Sequence, residues 1–489
     1  MEIAGLQELI ASLVEIVGEE FVLSQVEDLA VYSCDAETLD VAIPDLVVLP
    51  SSTNEVSEIL KVASKYNMAV TPRGAGTGLS GGSTTVNGGI SMPLTRMTEI
   101  IEIDPEQRTA LVQVGATNIS VSQASKKYDL YFAPDPSSQF ASTIGGNIAE
   151  NAGGPHCLKY GMTTNHVLAA KVVLYDGTII DLGSSTGYSP DLDILGLLVG
   201  SEGTLGVVTE ALVNLTVRSQ SVETLLAYFS TIESCGQAVS DTIAKGVILA
   251  AMEMIDKVTL NAVEDYLAMG LNREADALLI VELDGPTSSI KIQKEIVEQC
   301  LKNRNVMNLE WAKDDVQRAQ IWKARKQSFG ALGRIAPNGY VLDGVIPRSR
   351  LAESITKIRE IGVKYDLLIA NVYHAGDGNL HPCLLYHKDN LEEVKRVMLA
   401  AKEVLKLCVD LGGTLSGEHG IGIEKLMEMP FVFSEEELEL QEQVKEVFDP
   451  QFKLNPNKVL PTPRVCGESG GRPLIRHQLL TSKVQEELN

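Results

Sequence analysis

Pro72-Arg73-Gly74-Ala75-Gly76-Thr77-Gly78-Leu79-Ser80-Gly81-Gly82-Ser83 packs five glycines into twelve residues behind one arginine. Glycine lets a backbone curl so that successive N–H groups point one way, and lets that backbone come close to a ligand. Such a nest of N–H groups binds anions, phosphate above all. Glycine and serine also make flexible linkers, but here strand-like sequence presses on both ends of the run. The run contains a literal G-x-G-x-x-G, Gly76 to Gly81. A dinucleotide fingerprint of that form must follow a strand and open a helix. Met68-Ala69-Val70-Thr71 reads as the strand, but residues 84–91 are β-branched and glycine-rich and start no helix. The doubly wound dinucleotide fold is therefore rejected. The phosphate reading is kept, and a pyrophosphate is expected across this loop.

Working outward, the loop closes a βαβ unit. Residues 45–50 read as a strand, Ser52 and Glu55 as a capping box, and Val56, Ile59, Leu60 and Ala63 as the apolar face of a helix. Residues 1–40 read as helical, with Leu6, Leu9, Ile10 and Leu13 at helical spacing, and offer no chemistry. Two further segments join glycine to small hydroxyls: residues 134–154, including Ser142-Thr143-Ile144-Gly145-Gly146-Asn147, and residues 200–209. The first carries almost no large apolar side chain, so it is expected to be a long functional loop rather than a core element. Three such segments suggest one extended ligand; three independent turns are the alternative.

Near residue 220 the character changes to strands and helices in the order of a ferredoxin-like α+β sandwich. Strands are expected over 224–229, 248–254, 277–283 and 366–373, and helices over 232–243, 288–303, 315–326 and 391–411. His374-Ala375-Gly376-Asp377-Gly378-Asn379-Leu380-His381 places two histidines around a tight turn between strand-like flanks. A hairpin of that size brings both imidazoles to one point. Ser416-Gly417-Glu418-His419-Gly420 adds a carboxylate and a third imidazole. Two histidines and a carboxylate are a common set for a divalent metal, although any single histidine could be a structural hydrogen-bonder. Spacing alone does not say which imidazole is ligand and which is base. Arg325 and Arg348 are candidates for pairing with a substrate carboxylate.

The 489 residues allow two or three domains. A formal net charge of −24 argues against nucleic acid or an anionic membrane surface as a partner. No apolar run approaches the length of a spanning helix, and the N-terminus lacks a basic region before an apolar core, so no signal peptide is expected. Seven scattered cysteines without C-x-x-C argue against an iron–sulfur cluster in this chain and suit a reducing cytosol.

Together these features resemble the FAD-linked oxidases of the vanillyl-alcohol-oxidase (PCMH) type, and within them the glycolate oxidase D subunit and D-lactate dehydrogenase branch. The resemblance covers residues 40–460. It rests on the motif 72–78, Gly145-Gly146-Asn147, Ser201-Glu202-Gly203-Thr204-Leu205-Gly206, the His374 to His381 motif, and Gly417-Glu418-His419-Gly420. It implies an α+β protein. A helical arm (1–40) would precede a PCMH-type FAD-binding domain of two subdomains (41–220). A ferredoxin-like substrate and metal domain with a C-terminal helical segment (221–460) and a polar, poorly ordered tail (461–489) would follow. The pyrophosphate of FAD would lie on Arg73, Gly74, Ala75, Gly76, Thr77, Gly78, Leu79, Ser80, Gly81 and Ser83. Pro134, Asp135, Ser142, Thr143, Gly145, Gly146, Asn147, Gly153, Gly161, Glu202, Gly203, Gly206, Val207 and Asn455 would line the rest. A divalent metal, zinc foremost, would sit on His374, His381 and Glu418, with His419 as the base and Arg325 on the substrate carboxylate.

Two departures sharpen that expectation. Members with covalent flavin carry a histidine in the pyrophosphate loop; Gly76-Thr77-Gly78 has none, so FAD is expected to be non-covalent. Relatives of the 2-hydroxyglutarate type have an asparagine where this chain has Cys383, and a lysine near Tyr340-Val341-Leu342-Asp343, which has none. Both losses remove contacts for a second carboxylate and favour glycolate or D-lactate. A 2-hydroxyglutarate dehydrogenase, a non-catalytic FAD-binding subunit and a flavin-free dinuclear hydrolase are the alternatives. The electron acceptor is left open between oxygen, a quinone, a carrier protein and iron–sulfur or sister flavoprotein subunits. A homodimer and a cytoplasmic site, at a membrane only through partners, complete the expectation.

Overall fold

The computed structural model describes residues 3–188 and 192–460, so the expected tail lies outside the described residues. The chain forms two compact units. One takes Met1–Gly153, Met162–Val217 and Glu418–Asn489; the other takes Gly154–Gly161 and Arg218–Gly417.

In the first unit, the helix Ile3–Val17 buries Leu9 and Leu13, one turn apart. The arm is not wholly helical: β1 (Val22–Leu23) pairs antiparallel with β2 (Leu46–Val48). Helix Thr53–Lys65 follows, capped by Ser52 Oγ, which accepts from Glu55 N at 3.2 Å. The expected capping box is only half formed. The Glu55 carboxylate instead accepts from Ser51 N (2.7 Å) and Ser51 Oγ (2.9 Å). Val56, Ile59, Leu60 and Ala63 are buried, as their spacing required. β3 (Val70–Arg73) and β4 (Ile90–Pro93) then pair in parallel, completing a sheet of order β1-β2-β4-β3. No helix lies between β3 and β4, so the G-x-G-x-x-G string is the loop it was read to be.

The second sheet of this unit is antiparallel. It contains β5 (Ile100–Asp104), β6 (Thr109–Gln113), β8 (Val167–Val173), β9 (Ile179–Gly183) and β10 (Val207–Asn214), in the order β5-β6-β10-β8-β9. The short strands β7 (Leu130–Tyr131) and β11 (Thr216–Val217) pair with each other. One apolar core runs through the unit, joining Leu9, Leu60, Ile90, Val112, Ile144, Val172, Val213 and Leu454. Each such fully buried side chain contributes about 1.5–3 kcal/mol.

Two expectations change here. The glycine-rich stretch after residue 134 is not all loop, because Ile144–Glu150 is a helix with Ile144 and Ile148 in the core. Two β-branched anchors suffice for so short a helix. Its glycine is required by packing: a Cβ on Gly145 would stand 2.8 Å from Val114 Cβ. Residues 418–460, expected with the second domain, pack in the first unit. There Val70 N donates to Lys453 O and Asn455 N to Val70 O, at 2.9 and 2.8 Å.

The second unit is a seven-stranded antiparallel sheet backed by helices. Its strands are β12 (Ser221–Phe229), β13 (Ala251–Asp256), β14 (Ala277–Gly285), β15 (Val306–Trp311), β16 (Asn338–Val341), β17 (Leu368–His374) and β18 (Asn379–Tyr386). Their order is β15-β12-β14-β13-β17-β18-β16. β13 starts three residues later than expected and runs on to Asp256, whose carboxylate accepts from Thr259 N at 2.9 Å and caps the next helix. Residues 154–161, which fall within the span expected for the FAD-binding domain (41–220), pack in this unit. Lys159 and Tyr160 bond to Asp284 of β14, and His156 Nε2 lies 2.9 Å from Glu282 Oε1.

Candidate active site

In the first unit, β3 delivers Arg73 to the start of the glycine loop, and the loop is clasped at its ends. Arg73 Nη1 donates to Ser83 Oγ at 3.1 Å. Gly76 and Gly81 hold φ of +71° and +74°, a region that side chains other than glycine enter at a cost. A Cβ at Gly76 would stand 2.1 Å from the Arg73 guanidinium. The other two glycine segments meet this one. A Cβ on Gly74 would touch Thr143 Oγ1 at 2.5 Å, and one on Gly203 would touch Pro72 Cγ at 2.7 Å. The three segments read as one site therefore come together. Of the residues expected to line that site, Gly161 alone belongs to the other unit.

Two carboxylates support these loops. Asp35, from the arm read as lacking chemistry, is buried against the loop, and Ala36 N donates to Gly78 O at 2.9 Å. Burial pushes the Asp35 carboxyl up to about 7, against the opposing pull of the Glu37 amide, Arg73 and Lys458. Glu202, at φ +53°, accepts from Ile421 N at 2.6 Å and Gly422 N at 2.8 Å. Burial also pushes it up to about 7. Asn455 Nδ2 donates to Gly82 O and Glu202 O, and Lys458 Nζ donates to Thr84 O. The C-terminal segment is thus bonded to the glycine loops.

Three buried polar atoms along the glycine segments, Ser80 Oγ, Ser142 Oγ and Asn147 Nδ2, have no hydrogen-bond partner among the described residues. Buried polar groups are ordinarily satisfied. These residues, with glycines that admit close backbone approach, fit a polar dinucleotide laid across the loops.

In the second unit, β17 and β18 form the expected hairpin. His381 pairs with Val372, and His374 with Asn379. Both histidines therefore share one face of the sheet as diagonal neighbours. Their rings stand T-shaped with centroids 5.1 Å apart, and their ligand nitrogens lie within 4.8 Å of each other. Each imidazole has its Nδ1 side occupied. His374 Nδ1 lies 2.8 Å from Glu253 Oε1, and His381 Nδ1 lies 3.1 Å from Leu342 O. With Nδ1–H directed at an oxygen, the neutral form of each ring carries its lone pair on Nε2, the tautomer that ligates a divalent metal.

Glu253 was missed by sequence reading. It stands opposite His374 in the β13–β17 pairing and is 1% exposed, and its other oxygen is 2.5 Å from Arg325 Nη2. Burial would raise its carboxyl, but His374 and Arg325 more than offset that and hold it below the usual range. Its signal was one charged residue amid the apolar run Ala251-Met252-Glu253-Met254-Ile255. Arg325 is 2% exposed, and its Nε has no hydrogen-bond partner among the described residues. Arg348 is instead turned to Gly376 O at 3.4 Å. Asp343 accepts from Ser416 Oγ at 2.5 Å and Gly417 N at 3.0 Å, fixing the turn that leads directly into Glu418 and His419. Those two residues open the first unit's C-terminal segment, where a Cβ on Gly153 would meet Glu418 Oε2 at 2.6 Å.

Residues 44–183 match the family model of an FAD binding domain, and residues 218–459 that of the C-terminal domain of FAD linked oxidases. The chain is 43% identical over 444 residues to the glycolate oxidase subunit GlcD of Escherichia coli (strain K12), covering 91% of this chain and 89% of that protein. It is 36% identical over 421 residues to a D-lactate dehydrogenase of Archaeoglobus fulgidus, covering 85% and 91% of the two chains. Among solved structures, 4-ethylphenol oxidase from Gulosibacter chungangensis superposes with a TM-score of 0.78 at 16% identity, over 94% of this chain and 97% of that one.

Proposed function

The chain belongs to the FAD linked oxidases, and from that premise we propose that it oxidises a small D-2-hydroxy acid, glycolate or D-lactate, to the 2-oxo acid. Bound FAD supplies the acceptor for the hydride leaving C2. His374, His381 and Glu418 would hold a divalent metal, zinc foremost, which would supply Lewis acidity to the substrate. His419 takes the hydroxyl proton on its imidazole. Arg325 binds the substrate carboxylate, to which it brings a buried Nε–H without an acceptor among the described residues. The glycine segments and Ser80, Ser142 and Asn147 hold FAD without a covalent bond. Electrons leave by way of oxygen, a quinone, a carrier or partner subunits; the Escherichia coli relative is itself named a subunit. The observation that carries this reading is the pair of histidines with both Nδ1 sides directed at oxygen.

Anaerobic titration tests it. Glycolate or D-lactate is expected to bleach the visible flavin band, and 2-hydroxyglutarate to do so poorly. His419→Ala is expected to keep FAD and to slow bleaching by at least about a hundredfold, the scale of general-base catalysis. Near-normal bleaching in that variant would overturn the base assignment. Thorough chelation is expected to remove activity, with zinc recovered in the eluate; full activity in metal-free protein overturns the metal.

A further inference from the structure

We propose that Glu253 is a positioning residue that ties the metal ligand His374 to the carboxylate-binding Arg325, so that the two groups meeting the substrate move as one body. This rests on the reading of His374 and Arg325 given above. The geometry is a three-residue chain within the second unit. Glu253 Oε1 is 2.8 Å from His374 Nδ1, and Glu253 Oε2 is 2.5 Å from Arg325 Nη2. His374 and Glu253 are register partners on neighbouring strands. Arg325 arrives from the helix Asp315–Lys326. One carboxylate thus joins a strand, a hairpin and a helix.

Stability alone does not account for this arrangement. Glu253, Arg325 and His374 are 1%, 2% and 5% exposed. Burying an ion pair is costly, and apolar residues of the same volume often serve a core as well or better. Arg325 moreover keeps its Nε without an acceptor among the described residues, whereas buried polar groups of a purely structural kind are ordinarily satisfied. The carboxylate does two things that an apolar residue cannot. It fixes the His374 tautomer and ring plane, which makes Nε2 the ligating atom. It also holds one edge of the guanidinium, leaving Nε–H for a substrate carboxylate at a set place relative to that histidine.

The test uses Glu253→Gln, nearly isosteric, and Glu253→Asp, whose shorter reach cannot satisfy both partners. Zinc affinity of the stripped, FAD-loaded protein is measured by competition with a chromophoric chelator, and KM for the hydroxy acid is measured after reloading. The expected result is unaltered flavin absorption, zinc affinity weakened about 10–100-fold, and a raised KM in both variants. Wild-type zinc affinity and KM overturn the proposal. So does a fall in thermal stability alone, or a change in one property without the other. His374→Ala separates this proposal from its premise. If that variant binds zinc as the wild type does, the metal reading is what fails.

Discussion

The glycine segments of the first unit and the histidine hairpin of the second position their atoms by opposite means. In the first, precision resides in the main chain: positive φ at Gly76 and Gly203, and a Cβ at either that would run into Arg73 or Pro72. In the second, the backbone is an ordinary antiparallel hairpin and precision resides in side chains, with an oxygen at each histidine Nδ1. A backbone site is spoiled by adding one carbon. A side-chain site is spoiled by removing one oxygen, even at a distance from the ligand. On the proposed reading, flavin binding and metal binding are therefore separable by substitution.

The strongest attempt to break that comparison is Gly76→Ala. The left-handed φ alone costs about 1–2 kcal/mol, and the Cβ at 2.1 Å from the guanidinium forces Arg73 aside. The variant is expected to purify without yellow colour, with FAD affinity lowered about a hundredfold or more, while zinc affinity stays at the wild-type value. Full flavin occupancy would show that the Gly76 backbone does not set the flavin site, and zinc lost along with flavin would merge the two sites into one.

A smaller effect separates the electrostatics of the two regions. Asp35 stands at about 7 in the folded chain against a usual value of 3.8. Between those values the folded state holds a proton that the unfolded chain has released, so this group's contribution to stability falls as pH rises through the window. Arg73 and Lys458 face it and limit the rise. Asp35→Asn removes that slope, so the variant is expected to gain on the wild type in melting temperature from pH 5 to pH 8. Parallel curves would show that Asp35 titrates normally. The smallest effect is Ser52→Ala, which removes the cap bond to Glu55 N. A loss of about 1 kcal/mol is expected by denaturant titration, with both ligand affinities unchanged.

What sequence reveals follows the same division. The glycine loop, the helix Thr53–Lys65 and the hairpin were legible because each is local: positive φ, helical spacing and a tight turn leave marks within a dozen residues. Glu253 was not, because its meaning depends on a strand over a hundred positions away from His374. The helix Ile144–Glu150 was hidden because glycine, a poor helix former, is there for close packing against Val114. Asp35 lay in a stretch whose apolar stripe suggested packing alone. The placement of residues 418–460 with the first unit left no local trace at all, since hydrogen bonds such as Asn455 to Gly82 join positions 373 apart.

That last arrangement bears on how the protein is made. Lys458 reaches Thr84 across 374 positions, so the first unit cannot close until residue 458 has left the ribosome. At about 5–20 residues per second, its N-terminal sheets wait roughly 20 to 75 seconds for their final segment. The second unit's sheet, by contrast, is complete once its last strand has emerged. On the proposed reading, flavin loading on the glycine segments is expected to follow the arrival of residues 455–458, which bond to that loop.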